Sequence, residues 1–167
     1  MTAPPAAVAE RLADDLHAIS VHEAAHAVIG ILLGLPVARV WLAWRKPWLS
    51  DWHVQGRSEL SRRVDEHPDV AAVVAAVGPA AEIRCRVARG VRPSAARRQV
   101  HRARCNRGDF REVAAALRDR ESELDAAGLD VEVEGLLDLN WDAVTAVAAA
   151  LRDHGRLERR DLDRLTR

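Results

Sequence analysis

The 167-residue sequence has no tyrosine, one phenylalanine, one methionine and two cysteines, and its 25 basic and 25 acidic residues cancel. Aromatic residues make up only 4% of it. That scarcity argues against a β-sandwich and for a helical interior of Ala, Leu and Val. Two cysteines cannot build a disulfide framework, so a small secreted scaffold is not expected. Zero net charge speaks against a generic nucleic-acid binder. Without tyrosine, an oxyanion would have to be met by His, Arg or backbone N–H groups, and His53 and His67 are candidates. Long apolar runs are missing too. The most apolar stretch, 24–44, is interrupted by His26 and Arg39 and broken by Gly34 and Pro36, which leaves no piece long enough to span a bilayer. Glu10, Asp14 and Asp15 precede any apolar run, unlike a secretory signal. These absences predict one soluble, cytoplasmic domain over residues 1–167, with neither membrane nor nucleic acid as partner.

The neutral total hides three unequal parts. Residues 1–82 hold seven basic and ten acidic residues, residues 83–108 nine Arg and no acid, and residues 109–167 nine basic and fifteen acidic. Within the last part, residues 121–142 carry eight acids and no base. The basic 83–108 and acidic 121–142 segments can pair within one chain or between copies, which makes a homo-oligomer one expectation. Alternatively, the Arg-rich stretch leads into Asp109 and would steer an anionic substrate.

Helical spacing of apolar residues runs from Val8 through Leu32 and stops at Gly34 and Pro36. Residues 37–44, VARVWLAW, read as a strand, and 45–61 as a hairpin or long loop. A second helix starts at Pro68, with Gly78-Pro79 as a kink. Residues 90–108 read as irregular or briefly helical, and a third helix as starting near Asp109. Residues 121–139 are acidic and mixed in pattern, before a fourth helix over 141–151 and a short fifth over 157–165.

Residues 22–26 spell HEAAH on the most helical segment of the chain. Positions i and i+4 share a helix face, so His22 and His26 can direct imidazole nitrogens at one ion. Glu23 lies about 100° further round the helix, where a base acting on a metal-bound water belongs. Such a match arises by chance in roughly 2% of shuffled sequences of this composition. Two histidines and a glutamate on an apolar helix are also costly to bury without partners. A catalytic zinc takes three protein ligands and keeps one position open. The extended H-E-x-x-H-x-x-G-x-x-H pattern fails, because Ile29 and Leu32 stand at its Gly and third His. Glu82 on the second helix is a candidate third ligand and Glu59 a weaker one. Asp109, followed three residues later by Glu112, reads on spacing alone as a helix cap.

Several stretches in the same order resemble the zinc peptidase domain of FtsH-type proteases. ISVHEAAHAVIGILLG looks like that family's motif helix, followed by a strand written VARVWL. GPAAEI (78–83) is similar to its Gly-x-Ala-Ala-Glu segment, and NRGDFREVAAAL (106–117) to the helix start bearing its aspartate ligand. WDAVTAVAAALRDHGRLERRDL is similar to its closing helix and Gly-x-Leu tail. The resemblance implies a zincin-like fold, mainly α with a small β element. It also implies Zn2+ held by His22, His26 and Asp109, with Glu23 as general base and a peptide or small molecule as substrate. Glu82 stands as the rival to Asp109 for third ligand, or as a group that bonds a ligand His. The chain shows neither an ATPase module nor a membrane anchor, so processive proteolysis is not implied.

Lesser features have plainer readings. His101 and Cys105 lack further ligands nearby, and Cys85 reads as a buried small hydrophobe. Trp41, Trp44, Trp48 and Trp52 either plug the strand against the motif helix or wall a cleft.

Overall fold

The computed structural model describes residues 5–45, 52–60, 67–103 and 106–166; Trp48 and Cys105 lie outside them. The elements run α1 (Ala6–Arg11), α2 (Ala13–Leu32), β1 (Val37–Arg45), β2 (His53–Leu60), α3 (Pro68–Ala88), α4 (Pro93–Arg102), α5 (Arg107–Ala116), α6 (Ala126–His154), β3 (Arg156–Glu158) and α7 (Arg159–Leu165). The protein is thus mainly helical, with one three-stranded antiparallel sheet ordered β2-β1-β3.

Helix α2 runs through the centre. Every residue from Ser20 to Gly30 is buried, which the small side chains of Ala24, Ala25, Ala27 and Gly30 permit. A Schellman turn ends it: Leu35 N–H bonds the Gly30 carbonyl at 2.8 Å and Gly34 N–H bonds Ile31 at 3.0 Å, with Gly34 at φ 78°. The turn feeds β1, and the hairpin to β2 folds back so that Gly56 and Ser58 meet Glu23 of α2. Helices α3 and α6 pack on the other sides of α2 through Ala72, Val77, Ala81, Leu137, Val144 and Leu151. Asp69, in the first turn of α3, accepts from Ser122 Oγ at 2.6 Å and Glu123 N–H at 3.1 Å. It thereby ties down the lead-in to α6. Those bonds, Ser122 first, hold the Asp69 carboxyl below its ordinary range.

Helix α6 departs most from the sequence reading. It is one helix of 29 residues, capped by the Asp125 side chain and closed by Gly155 at φ 72°. The acidic stretch looks mixed because its buried face is narrow: Leu129, Val133 and Leu137 point inward once per turn, while the acids share the exposed faces with Val131 and Leu139. Residues 90–108 are more regular than their Gly and Pro content suggests, since Pro93 opens α4 and Ala96 and Val100 bury its inner side. The first helical pattern divides at Leu12, while Gly78-Pro79 stays within one continuous helix. The closing segment holds β3 before α7, with Leu157 buried opposite Val40.

The basic segment is partly paired within the chain. Arg84 meets Asp138 at 2.5 Å, Arg86 binds Glu82 and Asp15, and Arg89 pairs with Asp14. Among the described residues, no helix is long and apolar enough to cross a membrane.

Two outcomes follow for stability. Leu137 is 0% and Leu139 85% exposed, so Leu137→Ala should cost roughly 2–5 kcal/mol in denaturant unfolding and Leu139→Ala under about 0.5 kcal/mol. Equal effects would contradict the register of α6. Because the folded Asp69 carboxyl titrates below its ordinary 3.8, its contribution is present above that pH and is lost as pH falls through the folded value. Asp69→Asn should therefore lower the melting temperature at pH 7, with the gap to wild type closing in acid.

Candidate metal centre

Three donors converge where α2, α3 and α5 meet. His22 Nε2 lies 3.1 Å from His26 Nε2 and 3.3 Å from Asp109 Oδ2, and His26 Nε2 lies 3.8 Å from Asp109 Oδ1. Both histidines are buried, and Asp109 is half-buried in the first turn of α5. The cap of that helix is Asn106, three residues earlier. Asp109 is thus not the cap that its spacing to Glu112 suggested.

The histidines are oriented from behind. His26 Nδ1 is 2.7 Å from the Val74 carbonyl; a carbonyl only accepts, so Nδ1 carries the proton and Nε2 is bare in the neutral ring. His22 Nδ1 is buried without an aligned hydrogen bond, and its neighbour at ion-pair distance is Glu82 Oε2, 3.4 Å away. With both Nδ1 atoms turned outward from the cluster, the two Nε2 atoms face one another and an aspartate. Either a proton on His22 Nε2 donated to His26 or a metal ion reconciles that arrangement.

The charges agree. Burial opposes an imidazolium at His22, but Asp109 and Glu82 outweigh it and raise the group to about 10. Burial likewise opposes ionisation of Asp109, yet His22 and His26 hold its carboxyl far below the usual range. Glu82, 2% exposed, is held near 2 against burial by His22, Asn106 and Arg86. Positive charge is wanted between these carboxylates, whether as protons or as a metal ion.

The donor set fits a metal. Neutral imidazole nitrogens and a carboxylate are zinc ligands, and a tetrahedral centre with bonds of about 2.0–2.1 Å separates its ligand atoms by roughly 3.3 Å. A second observation is steric. A Cβ built on Gly78 would overlap His26 Nε2 and come within 2.8 Å of His22 Nε2. Glycine at 78 thus keeps open the space in front of both nitrogens. Glu82 approaches His22 from the far side, at Nδ1, so it is not among the three converging donors.

Glu23 borders the same cavity. Its Oε2 accepts from Ser58 Oγ at 2.7 Å, and a Cβ on Gly56 would overlap its side chain. The cavity encloses about 310 Å³ and is lined by the cluster, by Gln55–Ser58 and by an apolar wall including Ile19, Leu35, Leu60 and Val74. Sequence reading missed Ser58, Gly56, Gly78 and Asn106. Gly78 lay inside a quoted motif, GPAAEI, but nothing local marks the approach of a distant helix.

Other expected contributors lie elsewhere. His53 is exposed on β2, His67 caps α3, and neither borders the cavity. Glu59 is on β2, paired with Arg39. Trp41, Trp44 and Trp52 are half-buried and do not line the cavity, so no described tryptophan walls it. His101 stacks on Phe110 with ring centroids 4.5 Å apart. Cys85 is buried, as expected. No arginine from the described part of 83–108 borders the cavity, although Asn106 of that segment does.

Gly78→Ala supplies a direct test. Alanine is the better helix former by about 0.5–1 kcal/mol, so helicity should persist while zinc affinity, measured by chelator competition, falls at least ~10-fold. Wild-type affinity in that variant would contradict the proposed opening. No protein-family model matches this chain, nor does any curated protein sequence.

Proposed function

We propose that this protein is a zinc-dependent hydrolase of the H-E-x-x-H type, zincin-like as its resemblance to FtsH-type peptidase domains implies, cleaving a peptide or amide bond. One observation carries the reading: the Nε2 atoms of His22 and His26, the Asp109 carboxylate and the Glu23 carboxylate border one cavity. His22, His26 and Asp109 would hold the ion. Zinc, when bound, supplies Lewis acidity that polarises a carbonyl and acidifies water.

The chain's own groups supply the rest. Glu23 acts as the general base, taking a proton from the attacking water and returning it to the leaving amine. Ser58 holds one oxygen of that carboxylate, and Gly56 gives the side chain its space. Val74 and Glu82 orient the histidines, so that little rearrangement precedes binding. Three donors rather than four among the described residues favour a catalytic over a purely structural ion.

A peptide suits the outer strand. Among the described residues β2 pairs with β1 alone, and Gln55, Gly56, Arg57 and Ser58 line the cavity. An extended segment can add to such an edge through main-chain bonds. The modest cavity volume of about 310 Å³ favours a second reading, a biosynthetic hydrolysis, cyclisation or elimination on a small molecule with the same residues.

Glu23→Gln tests the proposal. The purified variant should keep close to one zinc per chain, as wild type does, while turnover of a peptide or amide pool falls by about 10²–10⁴-fold. Full activity would remove Glu23 from the reaction, and a folded, metal-free wild type would overturn the whole reading.

A further inference from the structure

Asn106 is 1% exposed and occupies the cap position of α5, yet its side chain caps nothing. Asparagine there ordinarily turns its oxygen onto the free N–H groups of the first helical turn. In this protein the amide points inward. Its Nδ2 donates to Glu82 Oε2 at 3.0 Å and to the Val100 carbonyl at 3.2 Å. The same Glu82 oxygen faces His22 Nδ1, while the other is gripped by Arg86 Nε and Nη2 at 3.0 and 2.8 Å. Three residues beyond Asn106, Asp109 enters the donor cluster. One buried amide thus joins the carboxylate behind His22, the last turn of α4 and the first turn of the helix that carries Asp109.

Resting on the metal reading above, we infer that Asn106 is a positioning residue of the centre: it fixes Glu82 against His22 and seats the start of α5, so that His22 and Asp109 are set together. Its two donated bonds have separate consequences. The bond to Glu82 holds the carboxylate oxygen that lies 3.4 Å from His22 Nδ1. The bond to Val100 locks the α4–α5 junction, from which Asp109 is reached in a single helical turn. A merely structural asparagine would change stability and leave the ion's surroundings as they are. A positioning residue changes affinity and ligand geometry together.

The experiment uses the full chain, zinc and cobalt(II) as probes, and the variants Asn106→Leu, Asn106→Asp and Glu82→Gln. Zinc affinity from chelator competition should fall about 10–100-fold in Asn106→Leu, and the visible cobalt spectrum should change in position or intensity. Combined with Glu82→Gln, the loss should be smaller than the product of the single losses, because both act on one link. Asn106→Asp is nearly isosteric and sets a carboxylate against Glu82; should the leucine variant fail to fold, it is expected to show the same loss. Wild-type zinc affinity and cobalt spectrum in a folded Asn106 variant would overturn this inference and leave the metal reading standing. Losses that simply multiply would overturn the route through Glu82. A wild-type chain that takes up no zinc would overturn both.

Discussion

Two imidazole nitrogens held 3.1 Å apart inside a helical core are the constraint around which the rest of this protein is arranged. His26 has its other nitrogen on the Val74 carbonyl, while His22 Nδ1 faces Glu82 at 3.4 Å without an aligned hydrogen bond. The two Nε2 atoms stay this close through a proton shared between the rings or through a bound cation. The surrounding negative groups, Asp109 at 3.3 Å and Glu82 behind, supply the potential that draws one in. The same crowding explains why α3 presents glycine at position 78, since a Cβ there would overlap His26 Nε2 and crowd His22 Nε2.

Gathering this much charge in a core has a cost, and the structure offsets it locally. An unpaired buried carboxylate would be destabilising by several kcal/mol. Glu82 is accordingly saturated, with Arg86 on one oxygen and Asn106 and His22 on the other. Arg86 in turn reaches Asp15 on α2 at 3.1 Å. Asp109 stands in the first turn of α5, where the helix N-terminus also favours a negative group. Glu23 is the exception: it is held by one serine and faces the cavity.

The sequence was most informative where chemistry and helical period coincide. His22, Glu23 and His26 could be assigned to one helix from spacing alone, and β1 and the start of α3 from β-branched residues and Pro68. Asp109 was ambiguous, because Asp followed by Glu three residues later is also a capping pattern; only the true cap, Asn106, resolves it. Only 141–151 of helix α6 is legible as helix in the sequence, because the buried stripe of its first half is narrow and its acids are many. The three-residue strand β3 carries too little pattern to see. Ser58, Gly56 and Gly78 act across 33 to 56 residues of chain on His22 and Glu23. Such contacts belong to topology and leave no local signature.

Anomalous diffraction at the zinc edge tests the proposed metal site at His22, His26 and Asp109 most directly. Crystals of the full chain grown with equimolar zinc should show one strong peak within bonding distance, about 2.0–2.2 Å, of His22 Nε2, His26 Nε2 and an Asp109 carboxylate oxygen. No peak there, or a peak held by other residues while these three keep their mutual contacts, would contradict it.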